Sequence, residues 1–377
     1  MENKWILIKP ELTKIGFKID SSFLANLSSK NKEYIKNIIL EIPLLIHEVS
    51  DTMEDSENLL IKKCTSDGYE KKKFKMTSYI NKGTYNQVYN VTDLDSSINY
   101  AYRFSNFKFT DISYLINNFI ETFIHSFLSL YQKNYLLTNK TSLEENWGDS
   151  NILRLKHFGY NPKNGLISSI TDKMDGTLYD VLSIPGMILP QKINILVKAL
   201  VQIICLIEHL QTEFKFVHND LKANNIFYKI LDKTKSDLYH PNNLHFVVSD
   251  FDASRIEIDG NVIIGNSSLS PDNTFNSRKD LFLLLHSLYY TFNSSDWFFA
   301  FFGKFGLDSS IVGNQDKFHK LYQYKKDSIS DFFEPSNLKT FLRAEYKAEF
   351  DCWKELGLRE DVIVNIFNTK YRIKYSK

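Results

Sequence analysis

Residues 217–226 read VHNDLKANNI. The stretch sets an imidazole, a carboxylate, an ammonium and an amide close together, at His218, Asp220, Lys222 and Asn225. A carboxylate can take a proton, an ammonium can meet a phosphate, and an amide oxygen can meet a hard cation. About thirty residues on, VVSDFDAS brings two more carboxylates, Asp250 and Asp252. A polar turn of chance composition would explain one such stretch. Two of them are harder to dismiss when a long apolar-faced helix precedes the first and a strand, a polar insert and a second strand lie between them.

HNDLKANN resembles the catalytic loop of the protein kinase superfamily, His-Arg-Asp-Leu-Lys-x-x-Asn, at every fixed position except the Arg, where Asn219 stands. DFD at 250–252 resembles Asp-Phe-Gly without the Gly. The resemblance implies an α+β, bilobal protein-kinase-like fold, with a small β-rich N-lobe carrying one helix and a larger helical C-lobe. It implies ATP and Mg²⁺ as cofactors and phosphoryl transfer to Ser or Thr hydroxyls of protein substrates. Asp220 is then the catalytic base that orients the hydroxyl and accepts its proton. Lys222 adds positive charge where the γ-phosphoryl group moves, Asn225 and Asp250 are the Mg²⁺ ligands, and His218 braces the loop.

The motifs expected upstream occur in altered form. INKGTYNQVYNV aligns with Gly-x-Gly-x-x-Gly-x-Val through Val88, which puts Asn81, Gly83 and Asn86 at the glycine positions. Asn tolerates positive φ better than most residues, so a tight turn survives. In NYAYRFSNFK, Ala101 and Arg103 take the places of Ala and Lys in Val-Ala-x-Lys. Side chains alternate along a strand, so Arg103 shares a face with Ala101 while Lys108 has the opposite parity. The partner of Arg103 is expected to be Glu121, in FIETFIHSFLSLY. DKMDGTLYDVL follows as hinge and next helix, with Met174 beside the adenine; Asp175 and Asp180 read as surface acids.

After DFDASR comes IEIDGNVII, where Asp259-Gly260 between alternating apolar residues signals a hairpin. No Ala-Pro-Glu follows. RKDLFLLLHSLYYTF arrives at once, with Asp280 placed to cap the catalytic loop. Haspin-like kinases share so short an activation segment. The sequence resembles more closely the poxvirus-type serine/threonine kinases of virion assembly, through HNDLKANN, DFD and DLFLLLHSLYY. That resemblance spans roughly residues 75–300 and implies a viral protein of the host cytoplasm and the virion. Asn219 removes the Arg that in many kinases pairs with a phosphorylated loop, which suits a short segment.

Periodicity along the chain outlines the helices and strands around these residues. Residues 1–74 read as a partly helical extension, with IKNIILEIPLLIHEV a helix broken at Pro43. Residues 75–174 read as the N-lobe: strands over 75–110, a helix at ISYLINNFIETFIHSFLSLYQK, then strands again. Residues 175–377 read as the C-lobe with a helical tail. The longest apolar stretches, LVKALVQIICLIEHL and DWFFAFFGKFG, read as too short or too interrupted to span a bilayer, and no signal peptide is visible. A net charge of +1 offers no global field for nucleic acid. Three cysteines far apart suggest neither a disulfide framework nor a metal cluster.

Two other readings stay open. Arg103 in place of Lys, with two of three loop glycines replaced, suits a pseudokinase that works as a scaffold. Retention of Asp220, Lys222, Asn225 and Asp250 together speaks against it. A small-molecule phosphotransferase of the aminoglycoside or choline type shares His-x-Asp and the second metal Asp, but usually lacks the equivalent of Lys222.

Overall fold

A computed structural model describes residues 4–49, 57–65, 68–82, 87–104, 111–138, 151–162, 165–266, 274–306 and 329–347. The chain divides into two units, one of Met1–Asn139, Ile152–Met174 and Asp250–Pro271, the other of Lys140–Asn151, Asp175–Ser249 and Asp272–Lys377.

The first unit opens with three helices, α1 (Lys4–Ile15), α2 (Phe23–Ser28) and α3 (Lys32–Ile39). Strands β1 (Leu44–Val49), β2 (Glu57–Thr65), β3 (Gly68–Lys82), β4 (Gln87–Asp93) and β5 (Asn99–Phe104) follow. Then come the long helix α4 (Ile112–Thr138) and strands β6 (Leu155–Asn161) and β7 (Leu166–Asp172). The seven strands close into a barrel in the order β1-β2-β3-β4-β5-β7-β6. Its interior is filled by Leu45, Leu59, Phe74, Val91, Tyr102 and Ile170, all fully buried. Closure rests on a short parallel contact of β1 with β6, where Tyr160 N–H donates to Pro43 O at 2.8 Å. Gly159 permits that approach, since a Cβ there would lie 2.7 Å from Pro43 O.

Two expectations change here. The segment 35–49 is not one broken helix: α3 ends before Pro43, and LLIHEV continues as β1 in register with β2. Pro43 cannot extend the helix, and the residues beyond it gain more by pairing Leu45 with Ile61 inside a barrel. The expected boundary at 74/75 falls inside β3, whose Phe74 and Met76 point inward while Lys71, Lys73 and Lys75 stay exposed.

Helix α4 buries Phe119, Ile120, Phe123, Ile124 and Phe127 on one face. α1 and α3 pack against it, with Trp5, Phe17 and Phe23 set mostly edge-on among Phe119, Phe123 and Phe127. The unit also takes the hairpin β11 (Arg255–Ile258) and β12 (Asn261–Ile264), which packs on α2. Its two-residue turn is Asp259-Gly260, both at positive φ, as a primed turn requires.

The second unit holds β8 (Gly176–Thr177), α5 (Leu178–Leu182), α6 (Leu189–Phe214), β9 (Ile226–Ile230), β10 (Leu244–Val248), α7 (Lys279–Phe292), α8 (Phe298–Phe302) and α9 (Pro335–Glu345). α5 begins in a capping box of Thr177 and Asp180, so Asp180 has a local structural task. α6 is 26 residues long and, by length and composition, apolar enough to cross a membrane, which corrects the reading of its sequence as too short or interrupted. Of its most apolar window, 78% is buried in the unit, so its hydropathy is that of a core helix. β8, β9 and β10 form a three-stranded sheet beside it.

Candidate active site

The loop 217–226 lies between α6 and β9. It is held by its backbone donors and by the buried side chains of His218 and Asn225. Asp280, in the first turn of α7 and fully buried, accepts from His218 N at 2.8 Å and Asn219 N at 2.9 Å. Burial pushes the Asp280 carboxyl up from its ordinary pKa, while the His218 ring and the two amide donors pull the other way. Asn219 sits at φ +66, a conformation Asn tolerates and a bulkier residue resists. His218 is also fully buried: its Nδ1 accepts from Asp220 N at 3.4 Å, so its Nε2 donates to Ser249 O at 3.0 Å. Ser249 N donates to Asn225 O at 3.0 Å, which fastens the residue before Asp250 to the loop.

Within this frame Lys222 Nζ donates to Asp220 Oδ2 at 2.6 Å. Asn225 Nδ2 donates to Asp220 O at 2.9 Å and to Asp220 Oδ2 at 3.1 Å. Asn225 ends a short 3-10 turn and is buried, whereas the Asp220 side chain is 36% exposed. The structure thus brings Asp220, Lys222 and Asn225 together.

The first unit carries a second cluster. On β5, Tyr102 fills the barrel, so Ala101 and Arg103 turn to its other face. Arg103 pairs in register with Val88 on β4 and Ser169 on β7, and Ala101 with Asn90 and Thr171. Arg103 Nη1 donates to Glu121 Oε1 at 2.6 Å, and its Nη2 lies 3.7 Å from Asp250 Oδ1. The Glu121 carboxylate, then Asp250 and Asp252, hold the guanidinium well above its ordinary pKa against the opposing effect of burial. Asp250 stands at φ +70. One turn beyond Glu121, His125 Nε2 meets Leu153 O at 2.5 Å and its ring packs on Phe251 at 5.1 Å. Burial pushes this imidazole down to about 4, so it is neutral at physiological pH.

Gly83 and Asn86 lie outside the described residues, but the strands flanking them pair up to Lys82 with Gln87 and Asn81 with Val88. Lys108 also lies outside them. Met174 follows β7, half-buried, as the last residue of its segment of the first unit. Asp175 accepts from Ile230 N at 2.8 Å and pairs with Lys233 at 2.7 Å, a local tie within the second unit. Sequence reasoning passed over His125, although a His one turn after Glu121 on an apolar-faced helix marks the same face. Among the described residues no cluster of three or more His, Cys, Asp or Glu side chains could hold a metal ion by itself.

No protein-family model and no curated protein matches the sequence. Among solved structures, the chain is similar to a BubR1 kinase domain, at 15% identity and a TM-score of 0.46, over 93% of this chain and 98% of that one.

Proposed function

We propose that this chain is a protein kinase: an ATP- and Mg²⁺-dependent phosphotransferase that acts on Ser or Thr hydroxyls of proteins, with Asp220 as the catalytic base. The observation that carries the reading is the state of Asp220. Its carboxylate is partly exposed, its Oδ2 is engaged by Lys222 and Asn225, and the backbone before it is pinned by buried Asp280. Both side-chain bonds fall on Oδ2, which leaves Oδ1 to orient a substrate hydroxyl and take its proton. Lys222 supplies charge beside that oxygen.

The remaining residues support the nucleotide side of the reading. Arg103, fixed by Glu121, would meet the nucleotide phosphates, with Gly83, Val88, Ala101 and Met174 lining its course. The donors suit Mg²⁺ by chemistry. The Asn225 amide nitrogen is committed to Asp220, which leaves its oxygen as the hard donor of the loop, and the sequence motif names Asp250 as the carboxylate ligand. Mg²⁺ takes one or two carboxylates plus phosphate oxygens, so a dense acidic cluster is not required. When bound, Mg²⁺ would neutralise charge on the phosphates. The viral kinship, with host cytoplasm and virion as locations, rests on the motifs of the sequence.

A pseudokinase is the second reading. It is favoured by the commitment of Arg103 to two carboxylates, Glu121 and Asp250. Incubation with labelled ATP, Mg²⁺ and generic protein substrates tests the proposal. Label on phosphoserine or phosphothreonine is expected, lost in Asp220→Asn with ATP binding retained. ATP binding without transfer by the wild type would establish the pseudokinase. Label on an aminoglycoside or choline hydroxyl instead would establish a small-molecule enzyme.

A further inference from the structure

Lys30 follows α2 at φ +50, in the left-handed conformation that ends helices and that glycine adopts most easily. Its N–H donates to Leu27 O at 3.1 Å, and Asn31 N to Asn26 O at 3.0 Å, which closes the helix end. A lysine here is strained where a glycine would not be, so its side chain must account for its use. That side chain turns inward. Nζ donates to Gly265 O at 2.6 Å and reaches Asn117 Oδ1 at 3.4 Å. The burial lowers the ammonium from its ordinary pKa.

Both acceptors lead to the nucleotide cluster. Asn117 stands one helical turn before Glu121 on α4, on the same face. Gly265 is buried against Asp252: a Cβ on it would lie 2.0 Å from Asp252 O. Gly265 N donates to Ser254 O at 2.9 Å, and Asn266 N donates to Asp252 O. So one ammonium ties the helix that carries Glu121 to the strand end that backs Asp250–Asp252. These are the two carriers of the carboxylates around Arg103.

We infer that Lys30 is a positioning residue, and that the helical segment α1–α3 is a built-in brace that holds Glu121 and Asp250 in place around Arg103. The segment does within the chain what loop phosphorylation would otherwise have to do, because it fixes the backbone behind Asp252 without an added phosphate. The catalytic part of this inference rests on the kinase reading; the brace itself does not.

The test uses the full chain with Lys30→Met, Lys30→Arg and Asn117→Ala, read by amide hydrogen exchange and by turnover at saturating ATP. Lys30→Met should speed exchange across 112–121 and 252–266 on the order of tenfold and lower kcat by a similar factor, the scale of one charge-assisted hydrogen bond lost from the competent state. Exchange in β1 and β2 should not change. Lys30→Arg should restore most of both effects, and Asn117→Ala should loosen α4 alone. If the wild type transfers no phosphoryl group, local loosening still upholds the brace while the kinase reading falls. Wild-type exchange in both segments of Lys30→Met would overturn the inference, and so would an increase spread evenly over the unit. Should Lys30→Met fail to fold, unchanged exchange of α4 in Asn117→Ala overturns it equally.

Discussion

The Asp220 cluster of the second unit and the Arg103 cluster of the first are built by different means. Around Asp220 the loop is fixed by main-chain N–H groups donated to one buried carboxylate, Asp280, and by the His218 ring. Around Arg103 the parts are held by charged side chains: Glu121 on α4, Asp250 after β10, and Lys30 after α2. A backbone clamp is nearly all-or-none, because a buried N–H without an acceptor is expensive. A set of ion pairs is graded, because each partner can be exchanged for one of different reach or width. The Arg103 cluster should therefore respond to conservative substitution in steps, and the Asp220 loop should respond mainly in turnover.

The largest expected effect concerns Asp250. Asp250→Ala should lower turnover about a hundredfold or more, the scale of a lost metal contact. It should weaken binding of Mg²⁺-ATP far more than of metal-free ATP in calorimetric titrations. Equal loss with and without metal would make Asp250 only a partner of Arg103, and the two clusters would then be alike in having a purely structural acid.

Arg103 comes next. Arg103→Ala strands Glu121, whose side chain is 11% exposed, and should destabilise the protein by about 2 kcal/mol. That is below the range for a fully buried pair because the Arg103 side chain is 35% exposed. The ATP requirement should rise on the order of tenfold or more in steady-state kinetics. Arg103→Lys should keep much of the activity, or exceed it, since an ammonium is a more compact phosphate contact. Lys108→Ala should do little. A dead Lys108→Ala enzyme beside a healthy Arg103→Ala one would show that Lys108 and not Arg103 carries the charge.

On the loop side, Asp280→Asn keeps one oxygen acceptor and turns the other position into a donor. It should cut kcat about tenfold while the Kd for ATP stays within about twofold. An equal loss of ATP affinity would mean that the two clusters are not separable and would dissolve the comparison.

The sequence was readable where local chemistry decides the structure. Asp259-Gly260 demands positive φ at consecutive residues, and the alternation in NYAYRF sends Tyr102 one way and Arg103 the other. It was unreadable where distant pairing decides. Nothing near LLIHEV says that it will leave a helix to close a barrel, since that depends on β2 and on Gly159 more than a hundred residues on. The run EKKKFKM hides its strand because Lys occupies every outward position and one inward one, where Lys72 is neutralised by buried Asp93 at 2.8 Å. Lys30 left no sign at all. Its acceptors lie 87 and 235 residues away, and an αL lysine looks like any surface lysine in sequence.

The smallest effect sharpens the comparison through a second inward-turned cation. Arg103 is surrounded by acids and is held in its charged form. Lys198, on α6 in the second unit, is 6% exposed, and its ammonium donates to the carbonyl of Pro241. Burial, with a smaller push from Lys235, lowers its pKa to about 7. The sign of the resulting pH dependence follows from proton counts. Below about pH 7 both the folded and unfolded chains hold the proton on Lys198, and the burial penalty is fully felt. Between that point and the ordinary value of 10.5 the unfolded chain still binds a proton that the folded chain has released. The unfolded state binds more protons there, so stability rises with pH. Tyr228 and Tyr289, whose pKa values are raised by burial, and Cys205, pushed up to about 12, act in the opposite direction at higher pH. The measurement is therefore a difference, taken by denaturant titration of wild type and Lys198→Met at pH 7, 8 and 9. The wild type should gain about 1–2 kcal/mol on the variant across that range. Parallel profiles would mean that the Lys198 ammonium stays charged as Arg103 does, and that the two cations differ only in the partners they keep.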